Sequence, residues 1–227
     1  MVTIIVVAAG TGNRFGSPVP KQFCQIEGRP VVMRAIDSLR RACPDARIII
    51  ALSEAEVERW RYLCNLHNFE SPAITLGGAT RWESVRNALL SCEHGADDIV
   101  LVHDGARPFP TVEMIEVLVS SLSDQEIQGA VPVVQVTDSL RELVDGGPES
   151  RPVDRSRLRA VQTPQAFRAT LLKQAYELPY ESSFTDDASV MAAAGYDRLV
   201  LTPGDPINIK ITHPLDIAIA ETILNAG

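Results

Sequence analysis

Three glycines and two cations crowd the first loop of this chain. Residues 2–23 read VTIIVVAAGTGNRFGSPVPKQF, an apolar strand that runs straight into a glycine-rich, basic segment. Gly10 and Gly12 omit side chains where backbone N–H groups must approach an anion, and Arg14 and Lys21 add positive charge to the same stretch. That chemistry suits a triphosphate. A dinucleotide fingerprint is the obvious rival, but the glycines fall at Gly10, Gly12 and Gly16, with Phe15 where G-x-G-x-x-G needs its third glycine. The fingerprint also opens directly into a helix, which Pro18 and Pro20 oppose. A kinase-type P-loop fails as well, because Lys21 is neither preceded by glycine nor followed by Ser or Thr. Taken alone, the loop also fits an ordinary strand-to-loop turn with exposed cations.

Other polar groups stand where further strands should end, and ligands of α/β sheets collect at the carboxyl ends of strands. Gly77-Gly78 leaves room for a base or ribose against the backbone, and Arg81 and Ser84 begin a helix that would face the same ligand; as turn glycines the pair would be unremarkable. In HDGARP, Asp104 ends an apolar strand where a carboxylate can hold a divalent ion near phosphates, and Arg107 can grip a second anion; a surface Asp–Arg pair is the plainer reading. Lys210 lies between Ile209 and Ile211, so strand alternation aims it opposite to both, either to solvent or into a cleft.

The elements that must position these groups follow from periodicity. Apolar, Val- and Ile-rich runs at 2–8, 46–52, 72–76, 98–103 and 129–134 read as strands, with later ones near 197–202 and 207–211. Helices are expected over 30–42, 53–67, 81–92, 111–122, 168–177, 185–194 and 214–225. Ser53 with Glu56 has the form of a capping box, Pro30 suits a first helical position, Thr185 with Asp186 and Asp187 is a helix start, and Gly195 is a stop. This alternation predicts an α/β fold: a mostly parallel sheet with helices on both faces. Between Val136 and Leu158 the pattern turns polar around Gly146-Gly147-Pro148, and short apolar alternations flank that turn. The segment reads as a protruding hairpin that cannot form a core of its own and should lie on the main domain or on another subunit; a disordered loop is the alternative.

Composition bounds the function. With 227 residues, 45% of them hydrophobic, the chain can bury a sizeable core, and its formal net charge of -8 argues against a nucleic-acid or anionic-membrane binder. The cations of the first loop are thus a local concentration, suited to a small anionic ligand. Val2–Ala9 is too short to span a bilayer and lacks the basic leader of a signal peptide, so a cytoplasmic location is expected. Cys24, Cys43, Cys64 and Cys92 form no C-x-x-C pair, and His67, His94, His103 and His213 show no metal-ligand spacing. No G-x-S-x-G elbow marks a serine hydrolase.

Taken in series, AAGTGNRFG, PKQF, GGATRWESV, HDGARPF, VTDS, VDR, TPQAF, TDDAS and NIKIT resemble the 2-C-methyl-D-erythritol 4-phosphate cytidylyltransferases of the non-mevalonate isoprenoid pathway. The resemblance spans nearly the whole chain, in order, and implies one Rossmann-like nucleotidyltransferase domain over residues 1–227 with a dimerisation arm at about 136–158. It also implies a homodimer, a divalent ion, normally magnesium, held near Asp104, and the condensation of CTP with methylerythritol phosphate, releasing pyrophosphate. By the same resemblance, Ala8, Ala9, Gly10, Gly12, Gly77, Gly78, Arg81, Ser84 and Asp104 line the nucleotide site, with Arg14 and Lys21 as the catalytic cations on its phosphates. The sugar phosphate meets Asp104, Arg107, Thr163, Thr185 and Lys210 of one subunit, while Thr137 and Arg155 reach in from the partner's arm. The related ribitol 5-phosphate cytidylyltransferases share the first loop and PKQF, but tend to carry Val before the Arg of HDxxRP, where this chain has Ala106. The chain ends soon after its last expected helix, so the transferase activity alone is implied, without the cyclase domain fused to some relatives. A non-catalytic nucleotide-binding module would keep the glycines without needing Arg14, Lys21, Asp104, Arg107 and Lys210 together.

Overall fold

The structure is a computed structural model that describes residues 1–10, 19–144 and 146–226. Among these the chain runs β1 (Val2–Val7), β2 (Gln25–Ile26), β3 (Arg29–Pro30), α1 (Val31–Ala42), β4 (Arg47–Leu52), α2 (Val57–Leu66), β5 (Ala73–Leu76), α3 (Arg81–Leu90), β6 (Ile99–Asp104), α4 (Val112–Ser121) and β7 (Gly129–Gln135). There follow β8 (Arg141–Leu143), β9 (Ser150–Pro152), β10 (Arg159–Val161), β11 (Gln165–Arg168), α5 (Ala169–Ala175), α6 (Asp187–Ala193), β12 (Leu199–Pro203) and α7 (Leu215–Ala226).

The main sheet has the order β10-β7-β11-β6-β1-β4-β5, with β12 also on β7. Strands β1, β4, β5 and β6 pair in parallel with one another, as β12 does with β7. Two strands run against them. β11 inserts antiparallel between β6 and β7, and β10 pairs antiparallel with β7. Neither was expected from the sequence, because Arg159–Val161 and Gln165–Arg168 are too short and too polar to show a period.

Strand alternation sends neighbouring side chains to opposite faces, and each face has its own helices. Ile4, Val6, Ile50 and Leu101 pack with Met33 and Ile36 of α1, Trp60 of α2 and Ile115 and Leu118 of α4. Ile5, Ile49, Val100 and Val102 pack with Val85 and Leu89 of α3, Leu172 of α5 and Val190 and Met191 of α6. Burial on both faces is why these strands are apolar throughout rather than alternating.

Several local expectations are corrected. Residues 207–211 are not a strand: their backbone is taken up by Ile209 N–H to Ile207 O and Ile211 N–H to Ala106 O, and they lie against the loop after β6 rather than in a ladder. Pro30 is the residue before α1, not its first. The expected helix over 53–67 opens as a 3-10 turn, Glu54–Glu56, and the Ser53 side chain makes no capping bond. The capping boxes stand elsewhere, at Thr80–Glu83 before α3 and Asp186–Ser189 before α6. Each satisfies orphan N–H groups, a contribution of about 1 kcal/mol for the capping side chain. Gly195, at φ +83°, ends α6 as expected.

Beyond β7 the chain leaves the sheet and returns as β10. Between them β8 and β9 form a two-stranded antiparallel hairpin of exposed residues, with Gly146 at φ +72° in the turn.

Candidate active site

β1 feeds β4 on one side of the sheet, while β6 pairs on its other side, so the strand order reverses between β1 and β6. The crevice outside the carboxyl ends of these strands is where an open α/β sheet takes its ligand. A cleft of about 590 Å³ opens there. Its wall carries Ala8, Ala9, Gly10 and Lys21 from the first loop, Gly78, Arg81 and Ser84 from the start of α3, Asp104 from the end of β6, and Lys210. Nine residues expected at the site thus come together. Gly12 and Arg14 lie outside the described residues, as do Phe15, Gly16 and Pro18.

The first loop is fastened at both ends. Ala8 N–H bonds Ala51 O at 2.9 Å, which fixes where β1 ends. The buried Gln22 amide donates to Ala8 O at 2.8 Å and to Gly10 O at 3.0 Å, tying the 3-10 turn Lys21–Phe23 to the strand. Among the described residues nothing lies within 4 Å of a Cβ built on Gly10. Gly77 is different. A Cβ there would stand 2.4 Å from Ala9 Cβ and 2.8 Å from Ser84 Oγ, so this glycine lets the start of α3 close on the end of β1 and does not line the cleft. Ser84 is buried, donating to Thr80 O at 2.9 Å and accepting from Gly78 N–H at 3.1 Å, so its hydroxyl shapes the turn.

The cleft floor is a chain of alternating charges from four separate elements. Lys210 Nζ stands 2.6 Å from Asp104 Oδ2, Arg81 Nε 3.2 Å from Asp104 Oδ1, and a terminal Arg81 nitrogen 2.7 Å from Asp187 Oδ2. Asp187 is fully buried, and its other oxygen accepts from the Tyr176 hydroxyl at 2.6 Å. Burial opposes ionisation of Asp104, but Arg81 and Lys210, with Arg107 farther off, hold its carboxyl far below the usual carboxylate range. Burial likewise opposes the charge on Arg81, and Asp187 and Asp104 more than offset it. The order − + − + leaves Lys210 at the open end, 41% exposed.

Asp104 is further fixed by its backbone. Its N–H donates to Thr163 Oγ1 at 3.0 Å, and the Thr163 hydroxyl contacts His103 Nδ1 at 3.3 Å. His103 Nε2 in turn lies 2.9 Å from Arg107 O, which assigns the proton to Nε2 and makes Nδ1 the acceptor. Burial pushes this imidazole down to about 4, so His103 is a neutral strut rather than an acid or base at neutral pH.

The sequence placed several residues at the second substrate, and the cleft does not gather all of them. Arg107 donates to Asn208 O at 2.7 Å and Val161 O at 3.4 Å, bracing the 207–211 segment from beside the cleft. Thr163 is buried behind Asp104, and Thr185 is exposed on the approach to α6. Thr137 and Arg155 line a separate cavity of about 440 Å³ at the base of the arm, where an Arg155 guanidinium N–H donates to Thr137 O. Sequence reading missed Gln22, Thr80, Ser53 and Thr212, which also line the cleft, and Asp187 and Tyr176 beneath it. Only Asp187 had a visible signal: a second carboxylate directly after the helix-capping Asp186.

Among the described residues a divalent ion has one carboxylate to meet in the cleft, Asp104. Among the described residues no group of three or more His, Cys, Asp or Glu could hold a metal ion by itself. Both Asp104 oxygens already carry a cation, so the donor set fits an ion brought and largely coordinated by phosphates, not a preformed protein cage.

Comparisons with known proteins agree with this architecture. A model of the family described as 2-C-methyl-D-erythritol 4-phosphate cytidylyltransferase matches residues 2–226. The curated protein of that name from Bacteroides thetaiotaomicron is 41% identical over 223 residues, covering 98% of this chain and 99% of the relative. That from Geobacillus kaustophilus is 37% identical, covering 97% and 95%. Among solved structures, 4-diphosphocytidyl-2C-methyl-D-erythritol synthase from Anaerococcus prevotii aligns with a TM-score of 0.82 at 23% identity, over 99% of this chain and 96% of that one, which speaks to the fold. The cytidylyltransferase of Thermus thermophilus aligns at 0.70 with 31% identity, over 97% and 98%. The chain belongs to the 2-C-methyl-D-erythritol 4-phosphate cytidylyltransferases, a family of nucleotidyltransferases.

Proposed function

We propose that this protein transfers CMP from CTP to 2-C-methyl-D-erythritol 4-phosphate, releasing pyrophosphate and giving 4-diphosphocytidyl-2-C-methyl-D-erythritol, a step of the non-mevalonate isoprenoid pathway. The observation that carries this reading is the juxtaposition, in one cleft at the strand-order reversal, of the Lys21 loop with the Asp104–Lys210 ion pair. The loop offers backbone and cationic groups to a triphosphate, and Lys210 offers a second cation across the cleft.

A phosphate oxygen of the sugar phosphate attacks the α-phosphorus of CTP in line. A phosphate monoester is already ionised at neutral pH, so no general base is needed and the residues act by alignment and charge stabilisation. Arg14 and Lys21 offset charge developing on the α-phosphate and the departing pyrophosphate. Ala8, Ala9 and Gly10 bring backbone close to the nucleotide, with Gly78, Arg81 and Ser84 on the same side and Gly77 behind them, and Gly12 is assigned to the same ligand by its place in the motif. Lys210 and Arg107, with Thr185, receive the sugar phosphate, and Thr163 supports them from behind Asp104. Magnesium, beside Asp104, would supply charge neutralisation of the phosphate oxygens.

The protein acts as a homodimer through the arm. Thr137 and Arg155 lie in their own cavity at the arm's base, so a partner's arm is what would bring such a pair over this cleft. Four unbonded cysteines suit a reducing compartment, in keeping with a cytoplasmic enzyme, and among the described residues no helix is long and apolar enough to cross a membrane.

Pyrophosphate release from CTP, magnesium and methylerythritol phosphate tests the reading, with ribitol 5-phosphate and the other nucleoside triphosphates as comparison arms. Turnover with ribitol 5-phosphate alone would overturn it. Arg14→Met and Lys21→Met should each lower kcat roughly a hundredfold or more, the scale of losing a transition-state charge contact.

A further inference from the structure

Asp187 belongs to no part of the reaction described above, yet it is the most completely buried carboxylate of the floor. It sits at the first position of α6, has no exposed surface, and does not line the cleft. Its two oxygens are both taken, one by Arg81 at 2.7 Å and the other by the Tyr176 hydroxyl at 2.6 Å. The helix that carries it is itself fixed. Asp186 accepts from Ser189 N–H at 2.9 Å and from the Gln165 side chain at 2.8 Å, and Gln165 Oε1 accepts from Ala188 N–H at 3.0 Å. Gln165 lies on β11, beside β6, so the start of α6 is referenced to the strand that ends in Asp104. Tyr176 is held from the other side by Trp82, whose ring stacks on it at 5.7 Å with planes 25° apart.

We infer that Asp187, braced by Tyr176, is a positioning residue: it holds the Arg81 guanidinium in the one orientation that lets its Nε reach Asp104, and so sets where the Asp104 carboxylate presents Lys210 to substrate. A planar guanidinium fixed at one edge has its other donors fixed too, which a lysine ammonium does not. Arg81 has a single route to both carboxylates, Nε to Asp104 and a terminal nitrogen to Asp187. Among the described residues no other group holds that second edge, so without Asp187 the guanidinium is free to turn about its bond to Asp104 or to leave it for solvent or a bound phosphate. The role deepens the cytidylyl-transfer reading and rests on it for the activity readouts below.

A double-mutant cycle tests it at a temperature well below unfolding. Asp187→Asn should lower kcat/KM for methylerythritol phosphate roughly tenfold in the wild-type background and less than about twofold in an Arg81→Lys background, since coupled neighbours are non-additive and a lysine has no second edge to hold. Equal losses in both backgrounds, or no loss in the first, would overturn the role. Tyr176→Phe leaves both charges in place, removes only the hydroxyl on Asp187, and should show a smaller loss, roughly two- to fivefold, with the same non-additivity. If Asp187→Asn does not fold, Tyr176→Phe decides the matter by itself. A readout independent of the substrate is the Nε–H signal of Arg81 in arginine-labelled NMR spectra, assigned by its loss in Arg81→Lys. It should be protected from solvent exchange in the wild type and lose that protection in Asp187→Asn, or be weakened in Tyr176→Phe. Unchanged protection in both variants would overturn the inference, whereas a wild type that fails to use methylerythritol phosphate but keeps the protected signal would count against the proposed substrate and not against the positioning.

Discussion

The cleft floor and the base of the arm both gather charged side chains, and they do so in opposite ways. On the floor, Asp187, Arg81, Asp104 and Lys210 come from α6, α3, β6 and the 207–211 segment; Arg81 and Asp187 are 106 residues apart in sequence, as are Lys210 and Asp104. At the arm, Arg155 bonds Thr137 O, Arg151 pairs with Glu142 and Asp154 bonds Ser156, all within 18 residues and all exposed. Charges desolvated among fixed neighbours cannot reorganise cheaply, so the floor is set before substrate arrives. Charges in water on a hairpin hold no orientation of their own, and they become a binding surface only against something else. The floor is therefore complete within one chain, whereas the contacts at the arm are local and solvated.

Breaking the floor should cost stability and activity together. Asp104→Asn leaves Arg81 and Lys210 without their shared anion; the expected loss is roughly 3 kcal/mol in unfolding free energy, the scale of breaking a buried pair, and roughly a hundredfold or more in kcat/KM. Denaturant unfolding and steady-state kinetics on the same preparation check both. A large kinetic loss with unchanged stability would mean that the pair is not held in the free protein. At the arm the two effects should separate: Arg155→Ala is expected to lower kcat/KM roughly tenfold while leaving the melting temperature unaltered. Mixing Arg155→Ala with Arg14→Met subunits sharpens the comparison further, because hybrid dimers that pair one intact floor with one intact arm should regain part of the activity. No recovery in hybrids that demonstrably form would count against Arg155 acting across a dimer. The smallest effect is expected for Arg151→Ala, which removes a fully solvated pair with Glu142 and should change neither melting temperature nor turnover measurably.

The parts that were legible from sequence share a property. Strands β1, β4 and β6 are buried on both faces, so their side chains alone announce them, and the loops at their carboxyl ends are where glycines and cations must stand. The parts that were not legible depend on partners far away in sequence. β11 is four residues long, and it is a strand because β6 and β7 leave a gap that Gln165–Arg168 can fill from the opposite direction. NIKIT alternates like a strand but takes its anchorage from Ala106, Arg107 and Gln162 rather than from a ladder. Ser53 and Glu56 have the spacing of a capping box, yet the chain there tightens into a 3-10 turn and the box forms at Thr80–Glu83 instead.

Gly77 and Lys210 mark the boundary between the two kinds of knowledge. The sequence alone determined that a glycine-rich, basic loop follows the first strand, that polar groups recur at later strand ends, and that the order of motifs matches one family, because side-chain chemistry and local spacing are written in the chain itself. Only the tertiary structure decided what those groups do to one another. It turned Gly77 from space for a ligand into the close approach of two elements, and Thr163 from a displayed hydroxyl into a buried strut. It also made Lys210 the open end of a charge chain that begins at Asp187. Burial and pairing depend on which distant residues meet in a low-dielectric interior, and no local pattern carries that information.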